Sequence, residues 1–147
     1  MKKLITYLFA GLVAILATSF TVSAQVFDLK STYSLTSDTV VNTATSYLTT
    51  PRMTPSPATS TTIWVVVTKV SGTVGGTITL QGSLDGTTFK AINTVDTQTA
   101  LATITATDAS NTYHWRLAGS PFLYYRVSWT GTGTMNATFT SQIFRAR

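Results

Sequence analysis

Five aspartates and one histidine, with no glutamate and no cysteine, are all that 147 residues offer for acid–base or metal chemistry. The acids are Asp28, Asp38, Asp85, Asp96 and Asp108. Glycoside hydrolysis needs two carboxylates flanking one bond. Asp85 precedes Gly86, and Asp-Gly is the pair a type I′ hairpin takes, because both central residues need positive φ. Asp108 lies in the turn-like run TDASN, where aspartate bonds local backbone. A calcium loop wants several converging oxygens, and no DxDxDG-like run occurs. Zinc needs three or four His, Cys or acid ligands, which His114 alone does not supply. In Gly82-Ser83-Leu84-Asp85-Gly86 the serine is second, so this is a strand running into a turn and not a GxSxG elbow. Gly75-Gly76 and Gly131/Gly133 lack the helix and lysine of a phosphate loop. No catalytic residue, metal or cofactor is expected.

Aromatic side chains are the remaining candidates for binding. Tyr113, Trp115 and Tyr124 form a sugar-stacking platform if they share an exposed face; Trp115, between His114 and Arg116, reads as exposed. Trp64 and Trp129 are expected in the core, where a domain of this size needs aromatic bulk. By the period of two, Tyr125, Val127 and Trp129 share one strand face, and Phe122, Tyr124, Arg126 and Ser128 the other. His114, in a strand between Tyr113 and Trp115, reads as packed or half-exposed. The basic residues after the first three positions are scattered, with only Arg145 and Arg147 close together. A nucleic-acid surface needs clustered Lys and Arg, so no nucleic-acid partner is expected.

The elements that must position these residues are strands. Residues 26–35 and 38–48 alternate and read as two of them. Residues 49–61 hold Pro51, Pro55 and Pro57, which fix φ and remove donors, and read as a loop or extended arm. TIWVVVTKV (62–70) is apolar on both faces and reads as a central strand covered on each side. TITLQGSL (77–84) alternates, Asp85-Gly86 turns, and TTFKAI (87–92) returns beside it. LATITA (101–106), TYHWRL (112–117), FLYYRVSWT (122–130) and TMNATFTSQIF (134–144) complete the set. Short strands, Gly, Asp and Asn turns, and no 3.6-residue period indicate an all-β, antiparallel β-sandwich, jelly-roll-like or Ig-like.

Residues 1–24 differ from the rest. Lys2 and Lys3 precede an apolar run (4–17), and VSA before Gln25 loosely fits a signal cleavage site. The apolar run is short of the ~20 residues that span a bilayer, so this is expected to be a signal peptide, or an anchor if it is retained; membrane contact is expected only here. The formal charge of +5 includes Lys2 and Lys3; residues 25–147 carry +3. Residues 25–147 are expected as one domain, with 25–61 as N-terminal strands and arm and 62–147 as the sandwich core.

ITLQGSLDGTTFKAI (78–92) and FLYYRVSWTGTGT (122–134) together resemble a pattern, GSxDGxxF followed by YRVxxTGTGT, of small β-sandwich proteins of phage virions and secreted bacterial surface proteins. The resemblance implies a Phe89 set into the core by the DG hairpin, and a scaffold, decoration or adhesion module with no enzymatic activity. The expected function is therefore an exported structural or surface protein that assembles with copies of itself or decorates a particle, filament, virion or cell surface. The alternative is a carbohydrate-binding module, with polysaccharide as partner, that uses Tyr113, Trp115 or Tyr124.

Overall fold

The computed structural model describes residues 25–28, 30–31, 37–53, 59–92, 103–119 and 121–146. The expected signal segment, Asp96 and the prolines Pro55 and Pro57 lie outside the described residues. Eleven strands run in chain order among them: β1 (Gln25–Asp28), β2 (Lys30–Ser31), β3 (Ser37–Val41), β4 (Thr45–Thr49), β5 (Ser60–Gly72), β6 (Thr77–Ser83), β7 (Lys90–Ala91), β8 (Thr103–Thr105), β9 (Asn111–Ala118), β10 (Tyr124–Thr130) and β11 (Met135–Ala146). They form two antiparallel sheets, an all-β sandwich. The five-stranded sheet has the order β1-β11-β5-β9, with β3 following β1 along the same edge of β11. The six-stranded sheet has the order β2-β4-β10-β6-β7, with β8 beside β7 on β6.

Strict alternation makes these strands two-faced. Ile63, Val65 and Val67 of β5, Tyr125, Val127 and Trp129 of β10, and Ala137, Phe139 and Ile143 of β11 all point into the core. Across the sandwich Trp129 meets Phe139 edge to face, with ring centroids 5.5 Å apart at 87°, the geometry the ring quadrupoles favour. The indole N–H of Trp129 donates to the carbonyl of Gly75 at 3.2 Å. The largest ring in the core thus contacts the other sheet and also ties down a connection.

The connections depart from a chain of hairpins. Residues 38–48, read from sequence as one strand, are two: β3 pairs with β11 and β4 with β10, in different sheets. Asn42, the sole described non-glycine residue at positive φ (54°), makes the turn between them. Four such crossovers, β3–β4, β5–β6, β8–β9 and β10–β11, gather at one end of the sandwich. There Asn42 N donates to Met135 O at 2.8 Å, Gly131 N to Ala44 O at 3.0 Å, and Thr73 N to Thr134 O at 2.9 Å. Glycine is required where two of these turns touch. A Cβ on Gly76 (φ 103°) would run into the Thr130 carbonyl, and one on Gly72 (φ 72°) into that of Thr134. The Gly-rich runs SGTVGG and GTGT are thus the two sides of one backbone contact.

The Asp85-Gly86 pair also differs from expectation. Gly86 has φ 76°, but Asp85 does not have positive φ, so the turn is not type I′. Gly82 pairs with Lys90, which leaves a longer loop, and the return strand is only β7. The reason is the carboxylate. Asp85 Oδ1 accepts from Thr87 N at 2.8 Å, Thr88 N at 2.7 Å and the Ser83 hydroxyl at 2.8 Å. A side chain that satisfies two backbone donors organises a wider turn than two residues allow. Phe89, expected in the core, is half-buried at the loop's end, with its ring 4.1 Å from the Arg126 guanidinium.

Candidate functional site

Two of the acids, Asp85 and Asp108, serve loops. Hydrogen bonds from Thr88 and Thr87 backbone and then from Ser83 hold the Asp85 carboxyl well below the usual carboxylate range. Asp108 bonds distant groups where local backbone was expected: Lys69 Nζ and Val74 N both reach Oδ1 at 2.7 Å. The Lys69 hydrogen bond, then that from Val74, lowers its pKa as well. A carboxylate whose folded pKa is depressed adds stability above its unfolded pKa, and that stability is lost as pH falls through the folded value. The unfolding temperature is therefore expected to be level from about pH 8 to 5 and to drop below about pH 4. A D85N/D108N double variant should flatten that acid limb in a pH series of thermal melts; an unchanged limb would show that these two groups are not its source. Among the described residues no group of three or more His, Cys, Asp or Glu side chains gathers as metal ligands do.

The structure does not bring Tyr113, Trp115 and Tyr124 together. Trp115 faces the core at 5% exposure, opposite Ile63 in the β5–β9 register. Its expected exposure was drawn from its polar neighbours His114 and Arg116, but in a strand neighbours point to the opposite face. Its indole Nε1 is buried with no hydrogen-bond partner among the described residues. Tyr113, on the same inner face, packs against the core, and its hydroxyl accepts from Thr107 N at 2.9 Å. Tyr124 belongs to the other sheet, half-buried against Gly86. An open cleft of about 260 Å³ near it is lined by Gly82, Ser83, Leu84, Asp85, Thr88, Lys90 and Phe122; its serine–carboxylate contact, Ser83 with Asp85, is engaged by the backbone N–H groups of Gly86, Thr87 and Thr88.

The most exposed aromatic among the described residues is Trp64, which was expected in the core. β5 is central, as read, but it is covered on one face only. On the outer face Trp64 is 44% exposed, Val66 44% and Val70 58%. Of the seven large hydrophobic residues that are exposed among those described, five (Val26, Val41, Trp64, Val66 and Val70) lie on strands of this sheet. Register sets the neighbours of Trp64. His114 is opposite it on β9, and Gln142 is opposite it on β11. Two residues on, Val66 lies between Thr112 and Thr140; two residues back, Thr62 lies between Arg116 and Phe144. The His114 ring stacks on the indole, with centroids 5.6 Å apart at 28°, which holds Trp64 against the sheet. The strand alternation left the choice open, because Ile63-Val65-Val67 and Trp64-Val66-Val70 are competing apolar sets. Nothing in the sequence alone chose between them.

With that geometry in view, comparison with solved structures gives fold relatives and no family. The SPBc2 prophage-derived protein YomS superposes with a TM-score of 0.50 at 8% identity, over 89% of this chain and 99% of that one. A cleaved adhesin domain of Lys-gingipain from Porphyromonas gingivalis gives 0.50 at 13% identity, over 89% and 88%. The enzymatically active domain of a tailspike protein of bacteriophage CBA120 gives 0.48 at 9% identity; the chain covers 18% of its length. No family model matches the chain, and no curated protein matches its sequence. The fold is shared with that prophage-derived protein and that adhesin domain. What the site does must come from its own side chains.

The opposite outer face is built differently. On β10 the Arg126 guanidinium lies between the rings of Tyr47 (4.5 Å) and Phe89 (4.1 Å), and its Nε donates to Gln81 Oε1 at 2.8 Å. Burial lowers its pKa from the ordinary arginine value, and the nearby Tyr47 phenol acts in the other sense. These contacts clamp the Asp85 loop to the sheet. The aromatic rings here are engaged by a cation of the same chain, whereas the indole of Trp64 is open to solvent.

Proposed function

We propose that this protein is an exported, non-enzymatic surface module that acts by contact, with the outer face of the five-stranded sheet as its contact face. The observation that carries the reading is Trp64: a large aromatic, centred on a sheet, stacked by His114 and left 44% exposed. Exposed apolar patches on folded proteins mark interaction sites, and tryptophan is enriched among the residues that dominate binding energy. The Lys2-Lys3 and apolar segment supports export, with the mature chain beginning at Gln25. The engagement of Asp85 and Asp108 with loops supports a role without catalysis, and the phage and adhesin fold relatives are in keeping with a virion or cell-surface setting. In this reading the module decorates a larger particle or surface, or joins copies of itself.

The test is co-sedimentation of the exported protein with the cells or particles that carry it. Trp64→Ala is expected to lower the bound fraction by about tenfold or more, the scale of losing one dominant contact residue. Its unfolding midpoint should stay close to that of the parent, since surface substitutions change stability by roughly 0.5 kcal/mol or less. Equal binding by parent and variant would remove this face from the function.

A further inference from the structure

The outer face of the five-stranded sheet is laid out in rows, because the strand registers carry straight across it. In one row Val26 of β1 pairs with Phe144 of β11, and Phe144 with Thr62 of β5. In the next, Gln142 pairs with Trp64, and Trp64 with His114 of β9. Val66 follows between Thr140 and Thr112. The exposed Val26, the half-buried Phe144 and the exposed Trp64 and Val66 therefore form one diagonal apolar strip, bordered by threonines. An apolar centre with a polar border is the anatomy of a protein–protein interface. Charge is sparse: of the described side chains on this face, only Arg116 carries a formal charge.

Extent and charge decide what fits here. With about 3.3 Å per residue along a strand and about 4.8 Å between strands, the five strands present a plan area of roughly 700 Å². Stable interfaces take about 600–1,000 Å² from each partner. A two-fold contact sets one patch against its own copy, so like charges at its centre would repel. This face has none there. Its one described cation lies at the β9 edge, and at the opposite edge the β1–β11 register sets Asp28 against Gln142. A two-fold axis along the strands, between β5 and β11, lays the β1 edge of one copy over the β9 edge of the other. That brings the Asp28 position to His114 and Arg116 of the second copy, and both Trp64 indoles to the axis.

We infer that this face is the interface of a homodimer, with two five-stranded sheets packed face to face about Trp64, Val66 and Phe144. Sheets packed in this way lie about 10 Å apart with their side chains interdigitated. The His114 ring stacked on the indole at 5.6 Å orients Trp64 in advance, and pre-set orientation lowers the ordering cost of association. The inference rests on the contact-face reading above and names its partner.

The experiment is sedimentation velocity of the exported protein over a wide concentration range, with indole emission recorded in parallel. A monomer–dimer equilibrium is expected, with a blue shift on association; Trp115 and Trp129 are already buried, so the shift reports Trp64. Trp64→Ala should weaken association about tenfold or more and, in dilute solution, melt near the parent temperature. Arg116→Asp should weaken it too, and Asp28→Arg in the same chain should restore it; a swap that restores nothing overturns the placement of the axis. The chain has no cysteine, so a short bis-maleimide should join copies through Thr140→Cys and not through Thr45→Cys on the other sheet. The inference is overturned by a monomer at every concentration, by association that Trp64→Ala leaves intact, or by cross-linking through Thr45→Cys alone. In any of those cases, co-sedimentation with cells or particles that Trp64→Ala lowers leaves the contact face standing with a different partner. Co-sedimentation that it leaves unchanged ends both.

Discussion

Trp129→Ala is expected to destabilise the fold by about 3–5 kcal/mol, the range for truncating a buried large aromatic. The side chain is fully buried. Its loss opens a void against Phe139, which it meets at 5.5 Å, and removes the hydrogen bond to the Gly75 carbonyl. Stability of a domain this size is about 5–15 kcal/mol in total, so one substitution removes a large part of it. Thermal melts should fall by roughly 10–20 °C. The comparison variant is Trp64→Ala, the same chemical change on the outer face, expected to leave the melt almost unmoved. Equal losses at the two tryptophans would mean that β5 has a second buried face, and the contact surface would disappear with it. Trp129→Phe, which keeps ring contact but loses the N–H donor, should recover most of the stability and leave about 1 kcal/mol missing for the hydrogen bond.

That contrast also locates what the sequence could and could not tell. The class of fold was legible because the strands alternate: Tyr125, Val127 and Trp129 were assigned to one face, and all three are buried. β5 defeats the same rule, since both of its faces are apolar, and the exposure of Trp64 is decided by how many layers the protein builds. Trp115 was within reach. Tyr113, Trp115 and Leu117 form the apolar phase of β9, and His114 and Arg116 the polar one, so period two was a better guide than adjacent polarity. The Asp85 turn shows a different limit. A dipeptide preference specifies a two-residue turn, but the Thr87 and Thr88 amides and the Ser83 hydroxyl compete for the carboxylate and enlarge the loop. Least legible were the crossovers. Whether a Gly-rich turn returns to its own sheet or changes sheet depends on contacts distant in sequence, such as Thr73 N with Thr134 O.

Those crossovers lead to the second large effect. Gly76→Ala is expected to cost about 3 kcal/mol or more, combining backbone strain of about 1–3 kcal/mol with a clash that side-chain rotation does not relieve. At φ 103° the new methyl would point at the Thr130 carbonyl and at Gly131 Cα, 2.8 Å away. Gly76 also accepts from Ala106 N at 2.9 Å, so moving it aside disturbs the β8–β9 connection as well. Gly133→Ala separates the two contributions. It too has positive φ (69°), but nothing lies within 4 Å of its added Cβ, so it should lose only the left-handed penalty of about 1–2 kcal/mol. Urea midpoints of the two variants measure the difference, which is the steric cost of one turn resting on another. If the two midpoints coincide, the β5–β6 and β10–β11 turns do not touch as described. If they separate as expected, the glycines act at the end of the sandwich where the chain repeatedly changes sheet. Loss of binding through the contact face in Gly76→Ala should then follow its folded fraction and go no further, because Trp64 is positioned by the β5–β9 and β5–β11 registers and not by that turn.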